Sequence, residues 1–143
     1  MTRIENSINI PAPVEEVFKY ASDWQKWSEW FEGVSDFKPT TETSRGNGTR
    51  YAYKAKIMGL SVNIETEIHD FTENRGWIGK ATKGMPHQTL WMFESVDGGT
   101  KSTYALEYEL TIPVLGSLLD DFLMKPQWDK IIRKSLNNLK EHF

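Results

Sequence analysis

Residues 8–30 read INIPAPVEEVFKYASDWQKWSEW, and the spacing of the apolar residues changes twice along this stretch. Its first residues complete a segment, 3–10, in which apolar and polar side chains alternate, and this alternation predicts a strand. The PAP motif at 11–13 ends that strand, and Pro13 suits the first turn of a helix. One short stretch therefore predicts the order of the first elements of the chain.

Two short helices are predicted after the prolines. The first has one apolar face at helical spacing, made of Val14, Val17, Phe18 and Ala21. Asp23 is a candidate N-cap for the second helix, which covers residues 24–31 and ends at Gly33. The second helix holds three of the six tryptophans, Trp24, Trp27 and Trp30. Because an α-helix turns about 100° per residue, these three rings cannot all point at one spot.

The composition indicates one folded domain. The chain has 143 residues, so a single domain is expected over 1–143. Apolar residues make up 38%, which excludes a disordered chain. A net charge of −3 and a pI near 5.6 argue against a nucleic-acid partner.

Cysteine usage and hydropathy indicate the compartment. The absence of cysteine excludes disulfides and thiolate chemistry and fits a cytoplasmic location. The N-terminus lacks the pattern of a signal peptide, and no apolar run reaches 18 residues. We therefore expect a cytoplasmic protein with no stable membrane insertion.

The middle of the chain is predicted to be a β meander, because turn signals recur between segments rich in strand formers. Six segments lie near 34–43, 49–57, 60–71, 77–83, 87–96 and 100–111. Together with the first strand, these six segments predict a total of seven strands. From about residue 115 to 142 the pattern becomes helical, and Pro126 is expected to kink or break that helix.

Antiparallel pairing assigns side chains to faces, because directly opposite residues point to the same side of a sheet. A turn at Met58-Gly59 pairs aromatic and aliphatic residues on one side: Ala55 with Val62, Tyr53 with Ile64, and Tyr51 with Thr66. The other side carries the charged residues Arg50, Lys54, Lys56, Glu65 and Glu67. That charged side is predicted to be solvated.

The last hairpin follows the same rule. A turn at Gly98-Gly99 pairs Phe93 with Tyr104, Trp91 with Leu106, Thr89 with Tyr108, and His87 with Leu110. Trp77 shares the side of Ile64 and Thr66. Trp77 also lies on the same side of the sheet as Trp91 if the connection around Gly84 has an odd number of residues.

The apolar side of the sheet needs a cover, and the C-terminal helix is the one long apolar element available for it. Its covering stripe is Trp128, Ile131, Ile132, Ser135, Leu136 and Leu139. Large rings on the sheet alternate with small residues, which is compatible either with a cavity wall or with a packed core. Residues 111–125, with Ile112, Val114 and Leu115, either seat the start of the helix or form a movable gate.

The order of elements resembles the helix-grip fold of the START-like, birch-pollen-allergen-like superfamily, and within it the SRPBCC branch of polyketide cyclase/dehydrase and lipid-transport proteins. Residues 8–30 are similar to that family's opening, and 97–110 and 115–143 are similar to its last hairpin and closing helix. The resemblance implies an α+β fold: a curved antiparallel sheet of seven strands, two short helices, and a long C-terminal helix over an internal cavity. It implies no shared catalytic motif and no cofactor.

A cavity of this kind takes an apolar, aromatic or lipid-like small molecule. The side chains expected to contact it are Tyr51, Tyr53, Ile64, Thr66, Trp77, Trp91, Phe93, Tyr104, Leu106, Tyr108, Trp30, Trp128 and Ile132. One or two of the three helix tryptophans are expected to pack under the C-terminal helix near Trp128 or Leu136. The remaining ring borders the cavity with Phe31, and a role in gating is most plausible for Trp30.

Catalytic chemistry has one weak candidate, His87, which shares the side of Trp91 and Phe93 and could act as a general base or simply as a hydrogen-bonded residue at the cavity edge. His69 is predicted on the charged side and His142 in solvent, so no histidine pair has metal-ligand spacing. The first functional hypothesis is a binding or carrier protein. The alternatives are an enzyme of the cyclase/dehydratase kind and a protein-interaction domain with an incidental cavity.

Overall fold

Seven strands form one antiparallel sheet with the neighbour order β1-β7-β6-β5-β4-β3-β2. The computed structural model describes residues 2–57, 59–109 and 124–143. The strands are β1 Thr2–Ile10, β2 Val34–Pro39, β3 Arg50–Ile57, β4 Leu60–Thr72, β5 Gly76–Lys83, β6 His87–Val96 and β7 Gly99–Tyr108. The strands from β2 to β7 follow one another as a meander, and β1 completes the sheet beside β7. This confirms the predicted α+β fold.

Helix α1, Val14–Ala21, begins directly after Pro13 and buries the four apolar residues that its spacing predicts. The second predicted helix divides into a 3-10 helix, Trp24–Lys26, and the single α-helical turn α2, Trp27–Trp30. The Asp23 carboxylate accepts a hydrogen bond from the Gln25 backbone N–H at 3.0 Å, which confirms the predicted cap. Both helices lie in the connection between β1 and β2.

The β3–β4 hairpin has the predicted register, with Tyr53 opposite Ile64 and Tyr51 opposite Thr66. On the other side Arg50 Nε donates to Glu67 at 2.6 Å. Glu65 departs from the predicted solvated face. It is buried, and its carboxylate accepts hydrogen bonds from Thr82 and Thr40.

The predicted register of the β6–β7 hairpin is wrong by two residues. Tyr104 lies opposite Trp91, and Tyr108 lies opposite His87. The turn is Asp97-Gly98 rather than Gly98-Gly99, and Gly98 takes the positive φ of 81° that the turn requires. Because the shift is an even number of residues, every side chain keeps its predicted face. Leu110, the predicted partner of His87, lies outside the described residues.

Strand β5 pairs with β4 of one hairpin and with β6 of the other, and so places both hairpins in one sheet. Trp77 lies directly opposite Trp91, as an odd-numbered connection around Gly84 requires. Gly79 lies between Ile68 on β4 and Thr89 on β6. The apolar face is therefore continuous from β3 to β7.

Helix α3, Lys125–Glu141, covers this face and buries Ile132, Ser135, Leu136 and Leu139. Pro126 lies in the first turn of α3, where its missing N–H leaves no hydrogen bond unmade. The preceding part of the predicted helix, against which a kink or break at Pro126 would be seen, lies outside the described residues. The Asn6 side chain of β1 donates to Asp129 of α3 at 2.9 Å. Residues 115–123 of the predicted helix, and residues 111–123 of the suggested gate at 111–125, lie outside the described residues.

Across the described ranges, the structure contains no helix that is both long and apolar enough to cross a membrane.

Candidate ligand cavity

A cavity of about 90 Å³ lies between the concave face of the sheet, the α2 region and the start of α3. Since one water needs about 10–15 Å³ by this measure, the cavity has room for several waters. The interior of the sheet, which is otherwise closely packed with rings, is therefore not completely filled at this place. Of the two alternatives left open by the sequence, the geometry matches the hollow interior.

Nine of the thirteen residues expected at a ligand line this cavity. They are Trp30, Tyr53, Ile64, Thr66, Trp77, Trp91, Tyr104, Leu106 and Trp128. They come from five strands and two helices, so the cavity exists only in the folded sheet. Ligand contact at these residues remains a prediction.

The other four expected residues lie outside the cavity wall. The Tyr51 hydroxyl donates to the Ser44 carbonyl at 2.5 Å, so its polar group is already bound. Phe93 packs edge-to-face on Phe18 of α1, with 5.3 Å between ring centroids. Tyr108 and Ile132 are fully buried in the core.

The sequence prediction missed part of the wall. Phe37, Val34 and Met85 line the cavity from connections or from the irregular strand β2. A bulge between Ser35 and Lys38 interrupts the alternation of β2, which is why period-two reasoning could not place Phe37. Ala55, Ile68, Gly79 and Thr89 complete the sheet part of the wall.

The tryptophan-rich segment supplies one side of the cavity. Trp27, Trp30 and Phe31 line it, whereas Trp24 does not. Trp30 is 2% exposed and packs edge-to-face on Trp91 at 5.4 Å, and its carbonyl accepts a hydrogen bond from Asn138 of α3. The Trp27 indole N–H donates to the Ala21 carbonyl at 2.7 Å. The rings thus combine a structural role under α3 with a place in the wall.

His87 lines the cavity near the start of β6. Its Nδ1 lies 2.7 Å from the Met85 carbonyl oxygen, which can only accept, so Nδ1 carries the proton and Nε2 holds the free electron pair. Burial lowers the pKa of His87, and the Met85 hydrogen bond opposes this only in part. His87 is therefore neutral near pH 7.

The other two histidines lie away from the cavity. His69 Nε2 lies 3.0 Å from the Glu67 carboxylate on the charged side of the sheet. His142 is exposed and stacks on the ring of Tyr20. Among residues 2–57, 59–109 and 124–143, no three acidic, histidine or cysteine side chains are placed to hold a metal ion.

Two phenols, those of Tyr53 and Tyr104, lie in the cavity wall. Burial raises the pKa of Tyr53 well above its usual value, and a hydrogen bond with Thr66 acts in the opposite direction. Burial also raises the pKa of Tyr104, and the nearby Tyr53 adds to that rise. Both hydroxyls therefore stay protonated and can donate hydrogen bonds.

A curved sheet gripping a C-terminal helix around an aromatic cavity defines a START-like, SRPBCC-type protein. The chain belongs to the family described as polyketide cyclase / dehydrase and lipid transport, whose family model matches residues 1–143. No curated protein matches the chain.

Solved structures show the same fold. The protein TTHA0849 from Thermus thermophilus is 25% identical, with 98% of this chain and 95% of that chain covered and a TM-score of 0.84. A START superfamily protein from Mycobacterium smegmatis is 14% identical over 98% of this chain and 97% of that chain, with a TM-score of 0.80. The di-domain ARO/CYC BexL from the BE-7585A biosynthetic pathway is 17% identical over 99% of this chain and 49% of its own, with a TM-score of 0.74.

Proposed function

We propose that this protein binds or carries one apolar, ring-containing small molecule in the cavity under α3. The observation that carries the proposal is the cavity itself: a void of about 90 Å³ walled by five tryptophans and other apolar side chains. A void left inside a protein forfeits packing contacts, so an interior evolved only for stability would be filled. The family description, which includes lipid transport, supports the same function.

The volume limits the ligand. Engineered apolar cavities of about 150 Å³ bind benzene. The present cavity is smaller, so a single ring or the end of a chain requires a small displacement of the wall. Phe31 and Trp128 are among the wall residues that are only half-buried, so their side chains have room to move outward.

Native mass spectrometry of protein purified without denaturant tests the proposal. We expect a bound organic mass in the wild type and its loss in Ala55→Phe, because Ala55 is buried in the cavity wall and a ring there would fill the void. Ala52→Phe is the matched control, since Ala52 lies on the same strand opposite Glu65 and faces away from the cavity. An empty wild type that also binds no added aromatic compound would contradict the proposal.

A second candidate function is cyclase or dehydratase chemistry, and the presence of a neutral His87 and a protonated Tyr104 in the wall of one cavity favours it. Here the free Nε2 of His87 would remove a proton from a carbon between two carbonyls, and Tyr104 would donate a hydrogen bond to the carbonyl that this carbon attacks. The new carbon–carbon bond leaves an alkoxide, which would take back the proton from His87. His87 would then remove the second proton of the same carbon and deliver it to the hydroxyl, which leaves as water. The likeness to BexL supports this candidate only through the shared fold.

A linear poly-β-ketone thioester is the probe for this second function. Conversion to a cyclised product by the wild type, with loss of turnover but retained binding in His87→Gln, would support the enzyme. Equal background conversion with and without protein would reject it and leave the carrier function standing.

A further inference from the structure

The described wall of the cavity contains no charged side chain. Its polar members are hydroxyls, the neutral His87 and indole N–H groups. An ion moved from water into such surroundings loses hydration without gaining a partner, which is strongly unfavourable. The buried part of a ligand must therefore be uncharged.

Tyr104 differs from the other tyrosines whose hydroxyls can be compared. Tyr51 donates to the Ser44 carbonyl and Tyr20 donates to Glu29, and the Thr66 side chain lies beside the Tyr53 hydroxyl. Tyr104 is 5% exposed and lines the cavity, yet its hydroxyl makes no hydrogen bond to any other described residue. A hydroxyl that opens onto a cavity without a protein partner is set up to meet a water or a ligand.

The ring of Tyr104 is held firmly in place. Its centroid lies 4.5 Å from that of Trp91 and 5.5 Å from that of Phe31. Strand β7 fixes its backbone between β1 and β6, opposite Asn6 and Trp91. A rigid phenol with a free O–H is a directional donor that needs little reorganisation on binding.

We infer that Tyr104 is the polar anchor of the cavity and that the ligand presents to it an uncharged hydrogen-bond acceptor, such as a carbonyl oxygen, on an otherwise apolar ring. This inference rests on the proposed binding function and makes it more specific. A purely hydrocarbon ligand would leave the phenol unpaired. A carboxylate would bring a charge that no described wall residue balances.

Two probes of nearly equal shape test the anchor. Acetophenone and cumene differ in that a carbonyl oxygen replaces a methyl group, and benzoate provides a charged comparison. Each is titrated into wild type, Tyr104→Phe and Tyr51→Phe while indole and amide N–H resonances are followed by NMR. Tyr51→Phe is the matched control, because it removes a buried hydroxyl that is already bound outside this cavity.

We expect Tyr104→Phe to weaken acetophenone binding by roughly 2- to 10-fold, the range given by one net hydrogen bond. Cumene binding should stay within about 2-fold, which also shows that the variant is folded, and Tyr51→Phe should change neither. Benzoate should bind the wild type at least about 10-fold more weakly than acetophenone, as expected for an unpaired buried charge.

The failures of the two proposals are distinguishable. If both neutral probes bind but Tyr104→Phe affects them equally or not at all, the anchor is overturned while the binding function stands. Tighter binding of benzoate than of acetophenone also overturns the inference. If neither neutral probe binds the wild type, the cavity does not accept small ring compounds, and the proposed function fails together with the anchor.

Discussion

Identical side chains in this sheet have different roles because their surroundings differ. Tyr51 and Tyr104 both project from the apolar face and are both buried. The first uses its hydroxyl to hold Ser44 in the β2–β3 connection, whereas the second faces the cavity without a partner among the described residues. At the scale of the residue, function therefore depends on which hydrogen-bonding groups the fold leaves free.

His87 leads to a prediction for the pH dependence of stability. Burial lowers its pKa in the folded state, so as pH falls the unfolded chain takes up this proton first. Protonation therefore favours unfolding, and the contribution of neutral His87 is fully present above about pH 6.5 and is lost as pH falls toward the lowered folded value. We expect the free energy of unfolding of the wild type to fall between pH 7.5 and 5 more steeply than that of His87→Gln.

Urea unfolding at several pH values measures this difference. Glutamine is a suitable replacement because its amide can still donate to the Met85 carbonyl. His69 and His142 are present in both proteins, so their titration cancels in the comparison. Parallel stability curves for the two proteins would show that His87 is not buried as described.

At the scale of the element, α3 and the α2–β2 connection hold each other in place. The Glu32 backbone N–H donates to the Ser135 hydroxyl at 2.9 Å, and that hydroxyl donates to the Ile131 carbonyl at 2.8 Å. Asn138 adds bonds from the same helix to the Trp30 carbonyl and the Glu32 carboxylate. One helix thus positions the segment that carries Trp30 and Phe31 against the cavity.

Ser135→Ala tests this attachment. The substitution keeps the helix but leaves the Glu32 N–H without its acceptor, and we expect the free energy of unfolding to fall by about 1–3 kcal/mol. Asn137→Ala, at an exposed position of the same helix, should change it by no more than about 0.5 kcal/mol. Equal effects in chemical unfolding experiments would mean that the helix is not held through Ser135.

At the scale of the whole molecule, a continuous set of rings surrounds a void instead of filling it. Trp77 and Trp91 lie 5.9 Å apart at the centre of the sheet, and Phe93 and Phe18 extend the cluster toward α1. The packed half, under α1 and the C-terminal part of α3, stabilises the fold. The hollow half, near Trp30 and Trp128, is the part available for binding.

Enlarging each half should have different consequences. Leu106→Ala removes a cavity-lining side chain, and Leu136→Ala removes one from the packed region under α3. Each is expected to lower the free energy of unfolding by about 2–5 kcal/mol. Only Leu106→Ala should increase affinity for naphthalene, because only there does the new volume join an existing void.

Urea unfolding and the fluorescence of bound naphthalene give the two measurements. A similar gain in naphthalene affinity for both variants would show that the interior does not divide into a packed half and a hollow half. No gain for Leu106→Ala would show that its side chain does not border the void.

The sequence predicted the faces of the sheet better than its registers. Period-two alternation assigned Tyr53 and Trp77 to one side and Trp91 and Tyr104 to one side, because that assignment depends only on whether an offset is odd or even. Whether the two pairs share a side depended on an odd-numbered connection around Gly84, which the structure supplied. The β6–β7 register depended on a choice between two neighbouring turns containing Gly98, and local chemistry did not separate them. Phe37 was missed for a different reason: the bulge in β2 adds a residue to the strand, and a strictly periodic pattern cannot predict that addition.

The chain by itself determined the order of its elements, the apolar side of its sheet and the helix that covers it, because these follow from spacing within short segments. Only the tertiary structure decided that Glu65 is buried, that the Tyr51 hydroxyl is bound while the Tyr104 hydroxyl has no partner among the described residues, and that an unfilled space remains beside Trp30. Those outcomes depend on contacts between segments far apart in the chain. A hydrogen-bond partner or an unfilled volume exists only after those segments have come together.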